Sequence, residues 1–107
     1  MDSFDAYQLA TLRTWRYKPG SRDSILNAAL GLAGEVGEYV EMVKKDFFHG
    51  IPIDHGKVLK EQGDILYYVS RALDDFHFNM SEAAGGNIEK LQKRYPEGFV
   101  IGGGIRE

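Results

Sequence analysis

Apolar residues in this chain recur at intervals of three and four, and no segment sustains an alternation of two. Only a helix puts residues so spaced on one face, so the pattern excludes a sheet and predicts an all-α fold. Proline and glycine divide the chain into four segments. The first runs from Phe4 to Tyr17, with Phe4, Leu9, Leu12 and Trp15 at helical spacing, and stops at Pro19-Gly20. The second starts after Ser21 or Asp23, either of which can cap it, and continues to Phe48. Its stripe is Ile25, Ala29, Leu32, Val36, Tyr39, Val40 and Val43, and His49-Gly50-Ile51-Pro52 ends it. The third runs from Asp54 or His55 to Phe76, with Val58, Ile65, Leu66, Val69, Ala72, Leu73 and Phe76 as its stripe. The fourth starts at Ser81-Glu82 and ends before Pro96, with Ile88 and Leu91 expected to face inward. Gly85-Gly86 costs it about 1 kcal/mol per glycine relative to alanine, which predicts an irregular first turn. The tail with Gly102-Gly103-Gly104 reads as loop. The expected architecture is like a four-helix bundle, with two long antiparallel helices and shorter N- and C-terminal ones, in a single domain over 1–107.

A chain of 107 residues builds a modest core, so burial between copies in an oligomer would help it. The absence of cysteine excludes disulfides, zinc-thiolate sites and thiol nucleophiles. The N-terminus lacks the basic start and apolar run of a signal peptide, and no stretch reaches the ~20 apolar residues of a membrane span. These features predict a cytoplasmic protein with no membrane partner. A net charge of −3 argues against a nucleic-acid binder, which needs clustered Lys and Arg. Lys44, Lys45, Lys57, Lys60, Lys90, Lys93 and Arg94 lie in the same regions as the acidic residues. Such a mixed surface suits a metal-bound phosphate ligand and equally a plain solvated face.

The acidic residues are the candidate chemistry. Glu35 and Glu38 are three apart on the second helix, and Glu61 and Asp64 are three apart on the third. At about 100° per residue, Glu35 falls about 95° from the centre of its apolar stripe and Glu38 about 60° further round. Glu61 and Asp64 fall about 75° and 135° from theirs, in the same rotational sense. Antiparallel helices facing each other are related by an approximate twofold axis, which carries both pairs to one side. Four carboxylates brought together repel and raise one another's pKa unless a cation joins them. Oxygen-only ligands favour a hard cation, Mg²⁺ or Mn²⁺.

Spacing alone leaves a solvated acidic face as the ordinary alternative. Gly31, Gly34 and Gly37 around the first pair, and Gly63 inside the second, point to close approach of a helix or a ligand. His49 and His55 read as loop residues and His77 as a helix end, with no metal-ligand spacing among them. The glycine triplet is no P-loop, because neither a lysine in register nor a helix follows it. Trp15 and Tyr67 read as core or interface, whereas Tyr68 lies on the acidic side of the third helix, four residues after Asp64.

Glu35-x-x-Glu38 followed by Glu61-x-x-Asp64 resembles the signature of the MazG-like all-α nucleoside triphosphate pyrophosphohydrolases. The run from Asn27 to Glu35, the loop Phe48-His49-Gly50, the stretch Glu61 to Tyr68 and the stretch Asn87 to Pro96 are similar to the same family, so the resemblance covers nearly the whole chain. It implies Mg²⁺-dependent cleavage of an NTP or dNTP to monophosphate and pyrophosphate. It implies Glu35, Glu38, Glu61 and Asp64 as metal ligands. Glu38 and Glu61 become the candidate catalytic residues, Glu38 as the carboxylate that orients the water. Tyr68, Asn87, Lys90 and Arg94 become substrate contacts, the last three on phosphate or sugar. A homodimer or homotetramer is the implied assembly. Gln62, where an apolar residue is usual, and Gly85-Gly86 depart from the pattern. Another class remains beside this one, a helical module that binds nucleotides without hydrolysis, as does hydrolysis of another pyrophosphate-bearing nucleotide.

Overall fold

The computed structural model describes residues 3–99 and 101. It is helical, with α1 at Ser3–Thr11, a 3-10 turn at Leu12–Thr14, α2 at Arg22–His49, α3 at His55–Asp75 and α4 at Met80–Arg94. Beyond the helices, the described residues hold an isolated bridge between Pro96 and Gly98 and no strand. The glycine triplet lies outside the described residues.

Each helix end has a local cause. Helix α1 stops six residues short of the expected Tyr17, because threonine hydroxyls compete for its carbonyls. Thr11 Oγ1 donates to Gln8 O at 2.7 Å and Thr14 Oγ1 to Thr11 O at 3.2 Å, after which Trp15 is extended. Ser21, not Asp23, caps α2 by accepting from Ser24 N at 3.2 Å. Gly50 closes it at φ +67°, a left-handed position where a side chain would be strained. Asp54 caps α3 through Lys57 N. His49 and His55, expected in loops, are the last residue of α2 and the first of α3, while His77 follows the end of α3 as expected. Helix α4 begins one residue before Ser81, because Asn79 and Glu82 form a reciprocal capping box. That box and two hydrogen bonds from Ser81 to Asp5 hold the first turn, so α4 runs unbroken through Gly85-Gly86 instead of being irregular.

Helices α2 and α3 pack antiparallel as the main contact of the fold. Ser24 meets Asp75 at one end, the Tyr68 ring packs on Gly31 in the middle, and Asp46 accepts from Ile53 N at the other end. Helix α1 lies across α3, and α4 packs on α1.

The interior differs from the expected apolar core. Ala28 and Met80 are the buried hydrophobic residues among those described, whereas Gln8, Thr11, Ser24, Glu61, Ser70, Arg71 and Asp75 are buried polar ones. Much of the apolar stripe of α2 remains open in the single chain, with Val40 at 56% exposure. Ile88 and Leu91 of α4, expected to face inward, are exposed as well. What joins α1 to α3 is a hydrogen-bond network around Arg71, which is 1% exposed. Its Nε donates to Thr11 Oγ1 and its Nη2 to Gln8 O, both at 2.9 Å, and Nη1 lies 2.8 Å from Asp74 Oδ2. Gln8 uses both ends of its amide, donating to Ser70 O, Asp74 Oδ1 and Phe78 O while accepting from Met80 N at 2.7 Å.

Candidate metal centre

The middle turns of α2 and α3 carry the acidic residues, and the antiparallel register brings them face to face. Carboxylate oxygens of Glu35, Glu38 and Glu61 lie within 4.8 Å of one another. Convergence on one side, read from rotational sense, is therefore present in the fold for three of the four. Asp64 stands apart from that trio. It lines a cavity of about 300 Å³ together with Glu38, Met42, Lys57, Lys60 and Glu61, and its charge reaches the phenols of Tyr7 and Tyr68.

Electrostatics make the trio unlike a solvated face. Glu61 is 8% exposed, and no donor of the protein meets its Oε2. An ionised carboxylate in that position lacks its usual compensation. A proton on Glu35 relieves the strain, and the Glu35 pKa is accordingly pushed up to about 8. The first cause is the hydrogen bond such a proton makes to Glu61, followed by burial, then by hydrogen bonding and repulsion from Glu38 and repulsion from Glu61. Burial, then the charge of Glu35, raises the Tyr68 phenol. The donor set is all oxygen and closely spaced, and its mutual repulsion is relieved by a proton or by a hard divalent cation.

The glycines separate into two kinds. A Cβ on Gly31 would overlap the Tyr68 ring, so Gly31 is a packing residue. Gly34, Gly37 and Gly63 have open space where a side chain would go. Gln62 faces solvent, so its departure from the family pattern disturbs no packing.

Beside the trio lies an aromatic group the sequence left as core or interface. Trp15 packs edge-on against Tyr17, Tyr67 and Tyr68, with Tyr67 against Tyr68 at 5.2 Å between centroids. Trp15 Nε1 donates to Ser24 Oγ, whose hydroxyl donates in turn to the buried Asp75. Helical spacing placed Tyr68 near the acids, but Trp15 arrives through an extended segment that periodicity does not describe. Lys57 and Lys60 line the same cavity as Glu38, Glu61 and Asp64. Their spacing of four from Glu61 and Asp64 respectively is the signal that marks them for the same face. Asn87, Lys90 and Arg94 lie along α4 and are not among the residues lining the acidic cavity.

Residues 23–99 match the family model of the MazG nucleotide pyrophosphohydrolase domain. The chain belongs to the MazG family. Its relatives include the Gene 37 protein of Mycobacterium phage L5, 30% identical over 109 residues that span 94% of this chain and 95% of that protein. No solved structure matches. All four helices found here agree with the all-α fold of MazG proteins. The matched residues 23–99 contain both acidic pairs and all of α3 and α4. No helix among the described residues is long and apolar enough to cross a membrane.

Proposed function

We propose that this chain is a single catalytic domain that hydrolyses a nucleoside or deoxynucleoside triphosphate, in the cytoplasm, to the monophosphate and pyrophosphate. The observation that carries the reading is the convergence of Glu35, Glu38 and Glu61 around a buried, unpartnered carboxylate oxygen, in a chain of the MazG family. Together with Asp64 these residues would hold Mg²⁺, or Mn²⁺ in its place. When bound, such an ion neutralises phosphate charge and makes a coordinated water more acidic.

The protein's own groups do the rest. Glu38, at the exposed rim of the trio, orients a water toward the α phosphorus and accepts its proton. The new bond forms from water oxygen to that phosphorus, while the bond from phosphorus to the α–β bridging oxygen breaks. Its electron pair leaves with the pyrophosphate. Glu61, held in place by burial, would supply carboxylate oxygens to the ion beside Glu35 and Glu38. Tyr68, on the aromatic side of the trio, borders the nucleotide.

Asn87, Lys90 and Arg94 enter this reading through assembly. Helix α4 packs on α1, and these three do not line the cleft of their own chain. In a homodimer or homotetramer that covers the exposed faces of α2 and α4, they would meet phosphate or sugar in the cleft of another copy. Incubation with each common NTP and dNTP plus Mg²⁺, with products separated by anion exchange, tests the reaction. Monophosphate with pyrophosphate supports it, and diphosphate with phosphate contradicts it. Elution at the monomer mass of 12.0 kDa would overturn the shared-site part.

A further inference from the structure

Lys57 and Lys60 occupy a position that the acidic signature does not explain. Both line the same cavity as Glu38, Glu61 and Asp64, and both are exposed to it. Each stands four residues before an acid, Lys57 before Glu61 and Lys60 before Asp64, a spacing at which helical charges ordinarily meet. Yet among the described residues neither lysine forms an ion pair, the two pairs found being Arg22 with Asp23 and Arg71 with Asp74. Two ammonium groups thus face a cleft whose buried carboxylate Glu61, over nine-tenths covered, has an oxygen with no partner. A ligand that satisfies both halves must bring cations for the carboxylates and anionic oxygens for the lysines. A metal-bound polyphosphate does so.

The cleft also has a direction. Along α3 the lysines come first, Glu61 and Asp64 follow within about a turn, and Tyr67 and Tyr68 lie a further turn on with Trp15 and Tyr17 against them. From Lys57 to Tyr68 the helix axis rises ~16 Å. Planar bases stack on aromatic rings, whereas a polyphosphate chain needs cations. The lysine end also coincides with the N-terminal, positive end of the α3 dipole, which favours anions.

We propose that Lys57 and Lys60 bind the departing pyrophosphate, so that the nucleotide lies antiparallel to α3 with its base toward Trp15, Tyr67 and Tyr68. The inference rests on the pyrophosphohydrolase reading and assigns its leaving-group end. As the bond from the α phosphorus to the bridging oxygen breaks, negative charge gathers on the β and γ phosphates, next to the two ammonium groups. Both lysines are binding residues for product as well as for substrate.

The test compares wild type with the double variant Lys57→Ala/Lys60→Ala, using magnesium pyrophosphate as the probe. Calorimetric titration reads its binding without any turnover. Product inhibition reads it again, beside inhibition by the monophosphate of whichever nucleotide is cleaved. Loss of two charge-assisted contacts is expected to weaken pyrophosphate by about tenfold or more while monophosphate inhibition stays within about twofold. Lys57→Arg/Lys60→Arg should restore pyrophosphate binding, and circular dichroism confirms that the variants remain helical. Equal pyrophosphate affinity in wild type and the alanine variant overturns the assignment, as does a failure of wild type to bind it. Equal weakening of both products overturns the direction. Absence of turnover with every nucleotide would instead overturn the underlying reaction, and the calorimetric result would still judge the lysines.

Discussion

Helix α3 carries two buried polar regions that differ in one respect. Toward its C-terminal end, Ser70 and Arg71 meet Gln8 and Thr11 of α1 in a network where donors find acceptors at 2.7–3.3 Å. Toward its middle, Glu61 meets Glu35 and Glu38 of α2, acceptor against acceptor, and an oxygen is left without a donor. Burial alone therefore does not mark function on this helix. Arg71 Nη1 and Asp75 Oδ2 at the C-terminal end also lack a hydrogen-bond partner, but Nη1 is ion-paired with Asp74, and Asp75 Oδ1 accepts from Gly20 N and Ser24 Oγ. What sets the middle of α3 apart is carboxylates facing carboxylates.

Breaking each region should give opposite results. The largest effect belongs to the acidic side, where Glu38→Ala or Asp64→Ala is expected to lower turnover by about a thousandfold or more while far-ultraviolet circular dichroism stays helical. Unchanged rates in both variants would remove these residues from the site. On the satisfied side, Arg71→Ala strips the donors from Thr11 and Gln8 O and the partner from Asp74. A loss of about 2–3 kcal/mol in urea denaturation is expected, because buried acceptors lose their donors. A loss below about 1 kcal/mol would mean that the network does not hold α1 in place.

Gly31→Ala tests the seam between the two regions. Its new Cβ would overlap the Tyr68 ring, so stability should fall by about 1–3 kcal/mol, and Gly34→Ala, with open space, should not reproduce that loss. The acidic side can also be read in the pH dependence of the metal-free protein. Glu35 ordinarily titrates near 4.5 and does so at about 8 in the fold, so between these values the folded chain holds a proton that the unfolded chain has lost. Its contribution is full below pH 4.5 and disappears as pH rises through about 8, so the metal-free melting temperature should decline across that window. Mg²⁺ should bind more tightly as pH rises through the same range, because it displaces the proton. Glu35→Gln should flatten both trends, and a melting temperature that rises across the window would contradict the shared proton.

Much of the acidic region was legible beforehand because it is helical and local. Residues three apart share a face whatever surrounds them, and two antiparallel helices carry edges of one rotational sense to one side. That reasoning reached Glu35, Glu38 and Glu61, and it put Asp64 on the correct wall of the cleft though not within the trio. It failed on α1, where Thr11 and Thr14 turn the chain aside before the expected end and send Trp15 against Tyr67 and Tyr68. It failed also on the interior. Apolar periodicity selects the same stripe whether the covering surface is this chain or another, so Val40, Ile88 and Leu91 were expected inside and lie exposed.

The sequence by itself determined four helices, the ends of α2, α3 and α4 to within a residue or two and the pairing of acids, because each follows from spacing along one chain. Its motifs resembled those of the family. Only the tertiary structure decided which polar residues have partners. Gln8 and Arg71 look like surface residues in the sequence, and Glu61 looks like Asp64. Their difference is made by residues about sixty positions away on α1, or on the facing turn of α2, and hydrogen bonding depends on distance in space.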